Sequence, residues 1–340
     1  MQFAHFFADT PNLGDLGAAA GIKTLIRTKK SDALFQDINI DSKPINFLER
    51  LKLNRKCNGL ILGGGGLLYN LPKKASGFYF NVSLKNYRKL NFPKCFYAIG
   101  INAEHTPHER WKFTSSFKER VSAFADLTES IGVRDIDSLN FMHSIGAKHA
   151  ELTPCPSQFL LSSLSSSKTN TIALNMTSRG VSEEDLKLLS KSVKAYFDRL
   201  GLHAVLVAHH PIEDQKCIKV AQNQNIPVFI PSSPENLMEF YKQQQFVVGM
   251  RGHALLFATG ARVPMLAISY NVKCDAHMKL LDQENLLLNQ KDIRNIDLLH
   301  NKLENLTTNH TEISLHIEKK RSEFLQMNIN FIENWLKHFS

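Results

Sequence analysis

Arg251, Gly252 and His253 stand between two apolar runs, Phe246–Val248 and Met265–Ser269, and bring a guanidinium and an imidazole to the start of a short helical segment. Arginine offers a planar fork of donors that matches a carboxylate or a phosphate. Histidine can donate or carry a proton near neutral pH. Placed where the free N–H groups of a helix N-terminus point outward, the pair makes a docking place for an anion. Tyr270 and Lys273 close the same stretch, and Lys273 supplies a point charge of the kind that holds phosphate. An isolated Arg-x-His at a helix start also serves as a plain cap with a solvated charge, so the surrounding pattern has to decide.

Other residues could join this chemistry. Asp15 follows Gly14 at a helix start and shares a loop with Asn12, so it either caps the helix or presents a carboxylate that binds hydroxyls or acts as a base. Arg134 follows the apolar residues 131–133; its plain reading is an ion pair with Asp135 or Asp137, its functional one a second anion-binding arginine, with Arg179 in reserve. His209-His210 with Asp214 lack a third metal ligand at close spacing, which leaves His210 as a substrate contact or a loop residue. The run Gly63–Gly66 has neither the G-x-G-x-x-G spacing of a dinucleotide site nor the Lys-Ser/Thr of a P-loop. Gly64 and Gly65 therefore mark close backbone approach, to a ligand or to a neighbouring element. No metal and no cofactor are expected.

The elements that position these residues alternate between strand and helix. Phe246–Val248 suits a buried strand ended by Gly249, His253–Thr259 a short helix with Gly260 at its C′ position, and Met265–Ser269 a second strand after Pro264. The unit is βαβ, its strands parallel, and its first loop lies at the carboxyl edge of the sheet, where ligands bind. Upstream, the pattern predicts a strand over 3–8, a helix over 15–27, a strand over 59–62 entering the glycine run, a strand over 95–101, a helical stretch over 108–127 and a strand over 131–133. Downstream it predicts a strand over 172–176, then a helix capped by Ser182 and Asp185 with Leu186, Leu189, Val193, Phe197 and Leu200 on one face. Strands at 204–208 and 227–230 follow, with helices near 213–224 and 234–244. Ile313, Ile317, Phe324, Met327, Phe331, Trp335 and Phe339 recur at helical spacing and read as packing residues. The expected fold is α/β, two Rossmann-like domains: 1–161, a linker at 162–171 drawn from the serine-rich SSLSSSKTNT, and 172–300, with C-terminal helices over 301–340.

A chain of 340 residues, 43% hydrophobic, is long enough for two cores and too apolar for extended disorder. No apolar run reaches the ~20 residues that span a bilayer, and the N-terminus alternates into a strand without a basic leader, so a cytoplasmic location is expected. Five dispersed cysteines without C-x-x-C spacing argue for reduced thiols and against a disulfide framework or a zinc site. The net charge of +9 favours acidic partners, yet the basic residues are spread and lack interleaved aromatics, which argues against nucleic acid and leaves attraction to the inner face of a membrane open.

The order of several motifs narrows the field. Asn12-Leu13-Gly14-Asp15, the glycine run, Ile131-Gly132-Val133-Arg134-Asp135 with Ser138 and Leu139, and Met250-Arg251-Gly252-His253-Ala254 followed by Thr259-Gly260, Val263-Pro264, Tyr270 and Lys273 together resemble the polysaccharide pyruvyltransferase family over roughly residues 10–280. The chain departs from the family pattern at Gly252, where many members have leucine, and at Pro154-Cys155-Pro156, where many have Asp-Pro. The resemblance implies a GT-B-like architecture with domains facing across a cleft. It also implies pyruvyl transfer from phosphoenolpyruvate, as co-substrate, to a saccharide, free or lipid-linked, as a cyclic ketal. In that scheme Arg251 and Arg134 grip the donor, Lys273 assists, His253 is the general acid and Asp15 the base. Two other readings stay open: a GT-B nucleotide-sugar glycosyltransferase, and a non-catalytic glycan- or anion-binding component of a polysaccharide assembly complex.

Overall fold

The computed structural model describes residues 1–102, 112–160 and 167–339. Two compact units divide the chain: Met1–Thr10, Ala18–Phe159 and Phe324–Ser340 form the first, and Pro11–Gly17 with Leu160–Glu323 form the second. Sequence order therefore does not separate them: the head of the first helix and the tail of the last one each cluster away from their sequence neighbours. Of the expected linker, residues 162–166 lie outside the described residues, and Thr171 opens a strand.

The first unit carries β1 (Gln2–Phe7), α1 (Leu13–Lys29), β2 (Leu34–Asn39), α2 (Phe47–Lys56), β3 (Gly59–Leu68), α3 (Leu84–Arg88), β4 (Lys94–Ile101), α4 (Ser115–Ala125), β5 (Ser130–Val133), α5 (Ile136–Ser144) and β6 (Ala150–Leu152). Its six strands run in the order β2-β1-β3-β4-β5-β6, every neighbouring pair parallel. Parallel strands are covered on both faces, which is why they read as continuous apolar runs; in KCFYAIGI of β4 only the last residue is not buried. Phe78, Phe80 and Tyr87 gather around Phe124, with ring centroids 4.9–5.9 Å apart. Such aromatic pairs add about 0.5–1.5 kcal/mol each beyond the area they bury.

The glycine run is a correction to the sequence reading. All four glycines lie inside β3 instead of in a loop after it, and Gly64 and Gly65 are buried. A Cβ on Gly63 would meet the carbonyl of Tyr97 on the adjacent strand, and one on Gly64 the side chain of Ala18. The run serves close packing of strand on strand and of helix on strand. Of the helical stretch expected over 108–127, residues 108–111 lie outside the described residues and the helix spans Ser115–Ala125.

The second unit carries β7 (Thr171–Asn175), α6 (Glu183–Asp198), β8 (His203–Val207), α7 (Gln215–Gln222), β9 (Val228–Phe229), α8 (Pro234–Gln243), β10 (Val247–Gly249), α9 (Gly252–Ala261), β11 (Met265–Ser269), α10 (Val272–Leu280), β12 (Leu287–Asn289) and α11 (Ile296–Thr308). Its strand order is β12-β11-β10-β7-β8-β9, again parallel throughout. The Ser182 hydroxyl caps α6 by accepting from the Asp185 amide, and Leu186, Leu189, Val193 and Phe197 are fully buried. Leu200 is 52% exposed, because the helix ends before it and the chain turns at Gly201 with φ +71°. α9 runs past Thr259 and absorbs Gly260; its left-handed cap is Arg262, at φ 60°, whose side chain is ion-paired with Glu318.

The last helix, α12 (His310–Leu336), buries Ile313, Ile317, Phe324, Phe331 and Trp335, while Met327 is 36% exposed. Within the first unit Trp335 packs 5.0 Å from the Phe3 ring, and Phe339 lies against both. Asn328, fully buried, accepts from the Tyr97 hydroxyl at 2.9 Å and donates to the Pro154 carbonyl at 3.0 Å, so the helix is fixed in register by polar as well as apolar contacts.

Candidate functional site

In the second sheet the chain proceeds outward from β7 through β8 and β9, then returns to place β10 on the other side of β7. Such a reversal opens a crevice at the carboxyl ends of the two central strands. Asn175, the buried last residue of β7, ties that edge together. Its carbonyl accepts from Met250 N at 3.0 Å, its side-chain oxygen accepts from Arg251 N at 3.0 Å, and its amide donates to the Val207 carbonyl at 3.0 Å. Each such buried group costs about 1–3 kcal/mol if left unpaired.

Arg251 is the N-cap residue of α9, in extended conformation, and its side chain does not cap the helix. The guanidinium, 7% exposed, is ion-paired with Asp214, 1% exposed, and with Glu213 at 3.3 Å. Glu213 turns its other oxygen to Arg179 at 2.6 Å, so one carboxylate bridges two arginines. The second oxygen of Asp214 accepts from His210 N, and the His210 ring accepts from the Glu213 amide at 3.2 Å. Burial alone would lower the Arg251 pKa, but Asp214, Tyr270 and Glu213 outweigh it and hold the group above its ordinary value. Burial likewise raises Glu213, yet Arg179 and Arg251 bring it below the usual carboxylate range. Arg251 and Glu213 are thus each held toward the charged form by their partners, in a preorganised arrangement.

His253 lies one residue into α9, and its neighbour was not visible in sequence. A Cβ on Gly14 would fall on the imidazole ring itself, so the backbone at the head of α1 lies directly against His253. The loop that carries Gly14 is held within this unit: Leu13 N donates to the His209 carbonyl at 3.1 Å, Asn12 Oδ1 accepts from Gly14 N at 3.1 Å, and Asn12 Nδ2 donates to Asp15 at 3.0 Å. Asn12, rather than Asp15, therefore satisfies an amide at this helix start. His209 is buried against Tyr241, 2.8 Å from its hydroxyl, with its pKa lowered to about 3 by burial and then by Arg251. It is a neutral scaffold residue that supports the loop.

Lys273 adjoins the helix start: a Cβ on Gly252 would stand 3.4 Å from the Lys273 Cβ. Asn271 caps α10 by accepting from Lys273 N at 3.0 Å, and the Cys274 thiol donates to the Met250 carbonyl at 3.1 Å, which binds the two helix starts together. All five cysteines are buried thiols outside any disulfide. Arg251, Gly252, His253, Tyr270, Lys273, Arg179, His210, Asn12 and Asp15 thus all belong to the second unit.

Arg134 belongs to the first unit. It is 8% exposed and donates to Asp135 at 3.1 Å and to the Ile101 carbonyl at 2.8 Å, while Asp135 caps α5 through Ser138 N at 2.7 Å. Its ordinary reading as partner of Asp135 is met, although buried instead of on the surface. Within the second unit the arginine linked to Arg251 is Arg179. Sequence reasoning missed Glu213, Asp214 and Asn175 as members of the site. For Asn175 the available signal was positional: a polar residue closing an apolar strand at the same sheet edge as Arg251.

Comparison with known families matches the polysaccharide pyruvyl transferase pattern over residues 12–272. The chain belongs to that family. The match begins at Asn12 and runs through the Arg251–His253 helix start. Curated proteins give no match. Among solved structures, this pyruvyl transferase family member is similar to Medicago truncatula UGT71G1 complexed with UDP-glucose, at 10% identity over 99% of this chain and 97% of that one, with a TM-score of 0.59. It is similar to S. aureus MnaA in its UDP co-structure at 13% identity over 93% and 90%, TM-score 0.58. It also resembles Neisseria meningitidis UDP-GlcNAc 2-epimerase at 10% identity over 100% and 99%, TM-score 0.56. At these identities the likeness concerns the fold, a GT-B-like pair of Rossmann-like units.

Proposed function

We propose that the protein transfers pyruvate from phosphoenolpyruvate to a saccharide, forming a cyclic ketal on two hydroxyls. The observation that carries this reading is the convergence of Arg251, Arg179 and Lys273 with His253 at the carboxyl edge of one sheet. A small molecule bearing a carboxylate and a phosphate needs two separated cationic contacts, and the linked arginines with Lys273 supply them.

In the reaction His253 gives a proton to the methylene carbon of the donor, which leaves the central carbon electrophilic. A sugar hydroxyl adds there and loses its proton to Asp15. The bond from the central carbon to the phosphate oxygen breaks, inorganic phosphate departs, and the second hydroxyl closes the ketal. Fixed donors aimed at the departing phosphate stabilise the developing charge by about 3 kcal/mol each. Nothing in this sequence of steps calls for a metal or a cofactor.

Nucleotide-sugar transfer is the second reading, favoured by relatives of the fold that were solved with UDP or UDP-sugars. Thermal stabilisation by phosphoenolpyruvate and not by UDP supports pyruvyl transfer, and the reverse supports the alternative. Incubation with phosphoenolpyruvate and a panel of lipid-linked and nitrophenyl sugars should release phosphate and add the mass of a pyruvate ketal. Binding without phosphate release across the panel points to a non-catalytic role. His253→Ala should cut turnover by roughly 10²–10⁴ with donor binding retained.

A further inference from the structure

Helix α2 of the first unit presents an uncovered apolar face. Phe47, Leu48 and Leu51 are 61%, 65% and 38% exposed, whereas Leu53 on the opposite side is buried and the buried Arg50 guanidinium lies 5.2 Å from the Phe47 ring centroid. The start of the helix is firmly set: Asn46 and Glu49 form a reciprocal capping box, with both bonds at 2.9 Å, so the exposed side chains belong to a fixed helical turn. Phe47 and Leu51 are four residues apart and Leu48 adjoins them, which makes one contiguous arc. An exposed, contiguous apolar cluster of this kind marks an interaction site.

The charges around the arc indicate the partner. Lys52, Arg55 and Lys56 continue the same exposed side of the helix. α3 is tied to α2 by Arg50 and Asn54, which both donate to the Lys89 carbonyl, at 3.3 and 3.0 Å, and by Asn86, which donates to the Ile45 carbonyl at 2.6 Å. That contact adds the exposed Lys85, Arg88 and Lys89 to the same region. Glu49, the acid of this helix, is held in the capping box. An aromatic and two leucines flanked by lysine and arginine, on a helix too short and too charged to enter a bilayer, is the composition of an element that lies in the interface of an anionic membrane. No described helix is long and apolar enough to cross a membrane.

We propose that this face of α2, with the basic end of α3, docks the protein on an anionic phospholipid surface. The proposal is independent of the donor chemistry. The full chain should cosediment with phosphatidylcholine vesicles that contain phosphatidylglycerol and not with phosphatidylcholine alone, and added salt should weaken the binding. Replacing Phe47, Leu48 and Leu51 by Ser should lower partition at least tenfold. Lys52→Glu with Arg55→Glu should lower it by about fivefold or more per residue. Circular dichroism and a soluble acceptor assay should match wild type for both variants, because all these residues are exposed. Equal binding to neutral and anionic vesicles, unchanged partition of the triple serine variant, or self-association through α2 in place of vesicle binding would each overturn the proposal.

Discussion

Asp214→Asn tests the electrostatic core of the site. Asp214 and Arg251 are 1% and 7% exposed and form a direct ion pair, and Asp214 also accepts from His210 N. The substitution is nearly isosteric, so it opens no cavity and isolates the charge. Removing one partner of a buried pair leaves the other desolvated, at a cost of about 3–5 kcal/mol. Glu213 remains 3.3 Å from Arg251 and takes over part of the compensation, which places the expected loss near the lower end, about 3 kcal/mol. For a unit of this size that corresponds to a fall in Tm of roughly 6–12 °C. Differential scanning calorimetry reads it directly. Glu213→Gln is the control: that carboxylate is 34% exposed and its loss should cost under about 1 kcal/mol. An anion that binds Arg251 restores the missing partner, so phosphoenolpyruvate should raise the Tm of Asp214→Asn more than that of wild type. Wild-type stability in Asp214→Asn, or a loss no larger than in Glu213→Gln, would refute the assignment of Asp214 as the buried counter-ion of the site.

Three further outcomes are expected. Gly14→Ala puts a methyl where the His253 ring and its Cβ stand, and should lower turnover at least a hundredfold together with an overpacking cost of about 1–3 kcal/mol, partly offset by the helix preference of alanine; normal turnover would show that the contact is not required. Asn175→Ala strips partners from Arg251 N and the Val207 carbonyl, and urea titration should show a loss of about 2–4 kcal/mol together with weaker donor binding. His209, His277 and His5 are held neutral, chiefly by burial, with pKa values lowered to about 3, 4 and 4. Unfolded histidine takes up its proton near pH 6.5, so stability is complete above that pH and falls on acidification toward the folded values, by about 1.4 kcal/mol per pH unit per histidine; guanidinium titrations at pH 7 and pH 5 that gave the same stability would contradict this.

The βαβ unit around Arg251 was legible because its strands are continuous apolar runs and Pro264 marks the return, and β11 spans the expected Met265–Ser269. Its helix end was not, because the left-handed cap fell to Arg262, a residue with no intrinsic preference for that conformation. The glycine run looked like a loop because strands usually avoid glycine; only the neighbouring carbonyl of Tyr97 explains why side chains are excluded there. Arg251 and His253 stood out by type and position, whereas Asp214 was legible only as a possible metal ligand. Pairing a buried arginine with its counter-ion needs the fold, since the two lie on different strand ends. The contact of Gly14 with His253 is longer still in sequence and no local pattern encodes it.

That last contact also sets an order of events during synthesis. Asn12 and Gly14 leave the ribosome about 240 residues before His253, which at ~5–20 residues per second is roughly 12–50 s. Until Thr171 is made, the head of α1 belongs to a body none of whose strands has yet been translated. A nascent chain halted near residue 160 carries the head of α1, which belongs to the second body, and lacks Phe324–Ser340, which belongs to the first, so neither half is a self-sufficient product.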